Sequence, residues 1–496
     1  MKKSIVIIGS GMGGLAAGIY GQLNGFTTQI FEMHHIPGGQ CTAWKRKGYT
    51  FDACIHHLFG CSPQFKLYQL WEELGAMPRT LAPVDDCISV LAPDGRLFQD
   101  FYAIDRLRDH LLALAPNDHS TIEAYLHGIE ICQQKDLTGT MVFGGKTGLL
   151  GATPQLWQLR TLLTSTMAQF GNRFSDPLLR RGFPLLVYSD THIPLLVHLI
   201  RHACGTQGGI AWPVSGAAEF SNSIAQRYID LGGQVHYRQK VVKILTDNHR
   251  ATGVMLEDGS EVHADYVISN ADGRKTINEL LDGRFMNEQV RRYCAEPDDE
   301  TNWAVHVFLG VNRDLSREPS ALVMLLDEPI DIAGHTCNSL EMQIYGFDST
   351  MAPPGKGVIK VELVSSYLYW KRLAADQQRY EDEKMHTADT VINLLERYFP
   401  GLRSQVEVID VPTLLTWEHF MGGTHGFANM PKKPFNVMKS MTGGVDSTLP
   451  GLTQFFFVGA WATSAGALFM NALSGRKIIQ RICVEEALPF TAPYHL

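Results

Sequence analysis

The sequence predicts an α/β protein that opens on a strand-helix-strand unit, and three observations predict it. An apolar, β-branched run from Ser4 to Ile8 leads directly into Gly9-Ser10-Gly11-Met12-Gly13-Gly14. A helical stretch, Leu15 to Asn24, follows the glycines. After a turn at Gly25, a second strand-like run, Phe26 to Phe31, ends in the acid Glu32. Strand, glycine motif, helix, strand and acid in this order are what a phosphate-binding βαβ unit requires.

Each element has a physical reason. Gly9 permits the tight turn, Gly11 lets backbone approach a pyrophosphate, and Gly14 lets helix and strand pack closely. The helix N-terminus offers amide donors and a partial positive charge to the phosphates. Glu32 stands where a carboxylate accepts from ribose hydroxyls, and its charge disfavours a 2′-phosphate. The motif alone does not choose between NAD and FAD. The choice comes from a second glycine loop, Ile36-Pro37-Gly38-Gly39-Gln40, followed by Gly48-Tyr49-Thr50-Phe51-Asp52. In flavoproteins of the glutathione-reductase type such a loop folds back over the diphosphate.

Composition narrows the partners. The chain has 496 residues, 45% hydrophobic and 19% charged, which suits a folded protein of two or three domains. The net charge of -8 is spread without long single-sign runs, so nucleic acid is not the expected ligand. Nine cysteines, an odd number without a CxxC, point to a reducing, cytoplasmic compartment. Two lysines precede the first apolar run, but glycines break it too early for a signal peptide. No stretch reaches the roughly 18 apolar residues of a spanning helix, so any membrane contact is peripheral.

Three blocks in order resemble the phytoene desaturase, carotenoid isomerase and retinol saturase family of FAD-dependent oxidoreductases. The first holds VIIGSGMGGLAAGIY, FEMHHIPGGQ and GYTFDACIHHLFG. The second runs from Trp212-Pro213-Val214-Ser215-Gly216 through Val241-Val242-Lys243-Ile244 to Ser269-Asn270. The third runs from Phe456-Phe457-Val458-Gly459-Ala460-Trp461 to Ser474-Gly475-Arg476, a strand, a glycine turn and a helix. The resemblance implies FAD, with contacts from Gly9, Gly11, Met12, Gly13, Gly14, Glu32, Gly38, Gly39, Gln40, the backbone of Val241, Gly459, Ala460, Ala467 and Leu468. It also implies an apolar polyene or lipid substrate, and desaturation, saturation or isomerisation of its double bonds. Departures are visible. Many relatives carry arginine where this chain has Gln40, and glycines where it has Ser215, Cys54, Ala465 and Ala467. These changes weaken a diphosphate contact and narrow the room beside the flavin.

With nucleotide-binding blocks at both ends and in the middle, the fold expected is a discontinuous glutathione-reductase-type FAD-binding Rossmann domain (1–75, 205–285, 440–496). An α+β substrate domain (76–110, 286–439) and a helical lid insertion (111–204) complete it. Alternation from Ile88 to Asp100 around Asp94-Gly95 predicts a hairpin. Trp303 to Val311 and the runs around Val323 and Val358 read as further strands. The helical insertion carries Leu149-Leu150, Leu156-Trp157 and Leu195-Leu196-Val197 among Arg160, Arg173, Arg180 and Arg181. A buried lid over an apolar tunnel is the favoured reading of this pattern, and contact with a membrane surface is the other.

Flavin chemistry needs few side chains, because the cofactor carries the reactive N5. The proton-carrying candidates are His56 and His57, in a segment that the resemblance places near the flavin and whose residue type titrates near neutrality. The competing reading is that the pair only packs or hydrogen-bonds the loop, with Asp52 anchoring backbone. A second cluster, Glu418, His419 and His425, has metal-ligand residue types, but its spacing fits no zinc template and no metal is expected. Two other functions share the fold: a flavin amine oxidase, and a non-catalytic prenyl-lipid carrier of the GDP-dissociation-inhibitor type.

Overall fold

The computed structural model describes residues 2–187, 193–295, 301–426, 447–463 and 467–494. Five parallel strands form the first sheet, in the spatial order Gln234–Tyr237, Thr27–Glu32, Ser4–Ile8, Tyr266–Ser269 and Phe455–Phe457. Segments from three distant parts of the chain thus lie side by side. The central strand alternates between two cores: Ile5 and Ile7 pack with the helices, whereas Val6 and Ile8 pack with Val241, Ile244 and Val254. A period of two places successive side chains on opposite faces, and a parallel sheet is covered on both.

On the helical face lie Met12–Leu23 and the last helix, Leu468–Glu485. Gly475 lets them touch: a Cβ there would stand 2.5 Å from Gly13 O and 2.6 Å from Ala17 N. The other face is closed by a small antiparallel sheet of Val241–Asp247, Arg250–Leu256 and Glu261–His263. The first helix begins three residues earlier than the sequence pattern suggested, because the motif glycines themselves take up helical geometry.

The second large sheet has seven strands, ordered Val406–Asp410, Thr301–Val311, Gly357–Ser366, His335–Ile344, Ala321–Ile332, Asp86–Leu91 and Leu97–Phe101. Its last two strands form the hairpin around Asp94-Gly95, with Gly95 at φ +86°. Alternate residues of Ala321–Ile332 face different layers: Val323 and Leu325 meet a helical core built from residues 104–206, and Leu322 and Met324 meet the opposite core. Among the described residues no helix is long and apolar enough to cross a membrane.

Candidate functional site

Gly9 turns the chain out of the central strand at φ +92°, a region that costs a residue with a side chain about 1–2 kcal/mol, while its N–H donates to Phe31 O at 2.8 Å. Met12 opens the helix, which has no acidic residue in its first turn and no side-chain cap at Gly11. Its first amides are therefore left for an anionic ligand. A Cβ at Gly13 would lie 2.6 Å from Gly459 N and 2.7 Å from Asn270 Oδ1, and one at Gly11 would lie 2.6 Å from Asn270 Nδ2. Gly14 lies so close to Gly9 O that a Cβ has no room.

Asn270, which closes the second sequence block without an assigned role, has one here. Its amide N–H donates to Ile8 O (2.8 Å), and its side chain fills the space behind Gly11, Gly13 and Gly459, joining the first and last segments of the sheet. The available signal was a polar residue directly after an apolar strand.

The second glycine loop folds back onto the first. Gly38 N–H donates to Ser10 O (2.9 Å), Gly11 and Gly38 form a parallel bridge, and Gly39 faces the Gly11 Cα. Gln40, half-buried, ends the loop. Glu32 is buried beside the turn: Oε2 accepts from the N–H and hydroxyl of Ser10, both at 2.8 Å, and Oε1 accepts from His34 N–H at 2.8 Å. Val241 lies toward the same end, packed with Phe31, where Gln239 N–H donates to Glu32 O (2.9 Å).

At the C-terminal end, Gly459 at φ +80° donates its N–H to Ser474 Oγ at 2.8 Å. Where one helix was expected after this turn there are two: Ala460–Thr463, then Leu468–Glu485 with Ala467 at its N-cap. Ala465 lies outside the described residues.

The His56 and His57 segment leaves the hairpin Ala43–Arg46 and Tyr49–Asp52 and meets the seven-stranded sheet. Asp52 is fully buried and anchors backbone, accepting from Cys54 N–H (3.0 Å), Ile55 N–H (3.2 Å) and Ala217 N–H (2.5 Å). Burial pushes its carboxyl up, while the Ala217 amide and Lys360 act against that rise. His56 Nε2 stands 2.8 Å from Glu362 Oε1, which Lys360 Nζ also reaches at 2.7 Å; Lys360 is wholly buried. Burial would raise the Glu362 carboxyl, but His56 and Lys360 hold it well below the usual range. Beside it, burial and the Glu362 charge push Glu341 well up. A cavity of roughly one water's size is lined by His56, Glu341, Gln343 and Glu362 and by apolar Ile88, Leu322, Val323 and Met342. His57 differs: Nδ1 meets Arg201 Nη2 at 3.0 Å, and burial, then the Arg201 charge, hold its pKa well below the ordinary value.

The second histidine cluster does not form a ligand set. Glu418 accepts from Tyr367 OH (2.8 Å), His425 lies against the Tyr367 ring, and His419 against Phe420. Residues 427–446, which follow it, lie outside the described residues.

A parallel sheet carrying a doubly glycine-lined turn, closed by a strand from the far end of the chain and faced by a second sheet, defines a dinucleotide-dependent flavoprotein fold. The chain belongs to the flavin containing amine oxidoreductase family, whose model matches residues 12–470. Its cofactor is FAD, and the turn fits that group, since its glycines carry no side chain and no side chain caps the first amides of the helix that follows. The chain is 27% identical to a phytoene desaturase (lycopene-forming) of Paracoccus sp., over 98% of each chain. It is 26% identical to the chloroplastic prolycopene isomerase 1 of an Oncidium hybrid cultivar, over 98% of this chain and 85% of that one. Among solved structures, a putrescine oxidase variant shares the fold with a TM-score of 0.61 at 15% identity, over 98% of this chain and 99% of that one. A Rab GDI from Plasmodium falciparum does so at 0.51 and 10% identity, over 83% and 89%.

Proposed function

We propose that this FAD-dependent enzyme acts on carbon-carbon double bonds of an apolar polyene of the carotenoid, retinoid or polyunsaturated acyl kind. The observation that carries the reading is the part-buried pairing of His56 with Glu362, bordered by apolar Ile88, Leu322, Val323 and Met342 and reached by the segment that follows the glycine cradle. Near full-length similarity to a desaturase and to isomerases of carotenoids supports the substrate class. Bound FAD supplies hydride acceptance or donation.

In this reading the turn of Gly9, Gly11, Met12, Gly13 and Gly14, with Gly38, Gly39 and Gln40 over it, binds the diphosphate. Glu32 takes the ribose, the Val241 backbone the adenine, and Gly459, Ala460, Ala467 and Leu468 the flavin end. His56, backed by Glu362 and Lys360, holds the proton, and His57 orients the segment through Arg201. Residues 1–75, 205–285 and 440–496 act as the FAD-binding part, 76–110 and 286–439 as the substrate sheet, and 111–204 as the lid. On that last segment Leu150 and Trp157 are exposed, with the Arg160 guanidinium 5.0 Å over the Trp157 ring, the place where a lipid surface would be met.

The test is to supply oxidised enzyme with phytoene and anaerobically reduced enzyme with a cis-polyene, following product absorbance. Conversion in either arm supports the reading. Oxidation of an added amine with peroxide formation would replace it with an amine oxidase. Protein that stays colourless after FAD addition would leave a lipid carrier.

A further inference from the structure

The helix Leu195–Thr206 carries His198 and His202 four residues apart, a spacing that stacks two imidazoles on one helix face. Opposite them lies the hairpin of Asp86–Leu91 and Leu97–Phe101, whose ladder shifts register between Asp86 and Ser89. Cys87 lies within that irregularity, and Asp100 is on the facing strand. Cys87, Asp100 and His198 turn toward one point: each offers a ligand atom, and these atoms lie within 4.8 Å of one another. All three are fully buried, as is His202.

The contacts leave capacity unused. His198 Nε2 is 3.3 Å from Asp100 Oδ2, and the Tyr125 hydroxyl lies 2.7 Å from Asp100 Oδ1 and 2.8 Å from His198 Nε2. His202 Nε2 is held by Phe101 O at 3.0 Å and stands 3.6 Å from Asp100 Oδ1, so it supports the carboxylate and does not complete the set. Asp100 Oδ2 makes no hydrogen bond among the described residues, where it has the long ion-pair contact from His198 Nε2 at 3.3 Å. A buried carboxylate oxygen left with only a long contact is costly unless something meets it.

We propose that Cys87, Asp100 and His198 bind one divalent transition-metal ion of the zinc type. Thiolate, carboxylate and imidazole are the donors that suit this borderline ion. Two donors on a tetrahedral ion with bonds of about 2.0–2.3 Å stand roughly 3.3–3.7 Å apart, which the His198 and Asp100 pair already meets. The charges balance: a thiolate and a carboxylate cancel the two positive charges, so the dry site holds a neutral cluster. Binding releases the Cys87 thiol proton. The ion's fourth position falls to water or to the Tyr125 hydroxyl. The cluster belongs to the core between the large sheet and the helices, not to the core around the glycine turn, so its role is to pin hairpin to helix.

The test is metal analysis of the purified holoenzyme after dialysis against a mild chelator, with reconstitution by Zn²⁺ or Co²⁺ alone. About one equivalent per chain, with a thiolate-to-cobalt absorption band, is expected. Cys87→Ser should lose the band, and Asp100→Asn should lose the metal, with FAD absorbance retained in both. Wild-type protein that takes up neither ion overturns the proposal, whether or not the variants fold. A cobalt band and metal content unchanged in Cys87→Ser overturn it as well.

Discussion

Ser215 holds φ +74°, where the family pattern has glycine, and its side chain makes no capping bond to the helix Gly216–Asp230 that it precedes. A side chain in the left-handed region is strained, and glycine is not. Ser215→Gly should therefore raise stability by about 0.5–1 kcal/mol in chemical denaturation, after the loss in unfolded-chain entropy is offset. Unchanged or lower stability would show that the Ser215 N–H bond to Asp348, at 2.9 Å, already relieves the turn. At the neighbouring scale of chemistry, His56 and His57 are adjacent but unlike, one paired with a carboxylate and the other with a guanidinium. His56→Gln should lower turnover about 10²–10⁴-fold with flavin absorbance intact, the range for loss of a general acid or base. If only His57→Gln does so, the roles assigned to the pair are reversed.

Elements meet through close approaches that admit no extra atoms. Gly13→Ala places a methyl against Gly459 N and Asn270 Oδ1, forcing the first helix and the last strand apart. The purified variant should lack the flavin spectrum, and a normally flavinylated variant would contradict the tight cradle. The last helix is tied down elsewhere by a buried ion pair. Arg476 Nε donates to Glu73 Oε2 at 3.1 Å, Tyr20 OH donates to the same oxygen, and Tyr494 N–H donates to Glu73 Oε1 at 3.1 Å. Glu73→Ala strands the Arg476 charge and should cost about 3–5 kcal/mol, read from the urea midpoint. A loss below about 1 kcal/mol would mean that water reaches the pair.

Over the whole molecule, buried histidines set the acid limit. Burial lowers His306 to about 3, and burial and Arg201 lower His57 well below its ordinary value. Unfolded histidine takes up a proton near pH 6.5, but folded His306 does not until about pH 3, so the unfolded chain binds more protons in between. While the carboxyls of Asp86, raised to about 6, and Glu341, pushed well up, act in the opposite direction, His306 alone lowers stability as pH drops below about 6.5, by on the order of 3 kcal/mol by about pH 4. Glu362, depressed in the fold, contributes stability above about pH 4.3 that is lost as pH falls further, in the same direction. Denaturation midpoints measured from about pH 4 to 8 should lose the His306 contribution to the slope in a His306→Gln variant, and an unchanged slope in that variant would show His306 to be hydrated.

Much of this molecule was legible in one dimension because its signals are local. Ser4–Ile8, the glycine turn and Glu32 form within thirty residues, where period, turn chemistry and strand-end acid need no distant partner. The hairpin at Asp94-Gly95 and the strands near Val323 and Val358 were readable for the same reason. The resemblance, not any local pattern, put the last strand in the same sheet as the first. What only the tertiary structure decided is which distant polar groups share one dry space. Asn270 behind the glycines, Glu362 and Lys360 beside His56, and His198 beside the hairpin residues Cys87 and Asp100 are each brought together over long sequence separations. Each looks ordinary alone, and a buried charge acquires its meaning only from the neighbour that balances it.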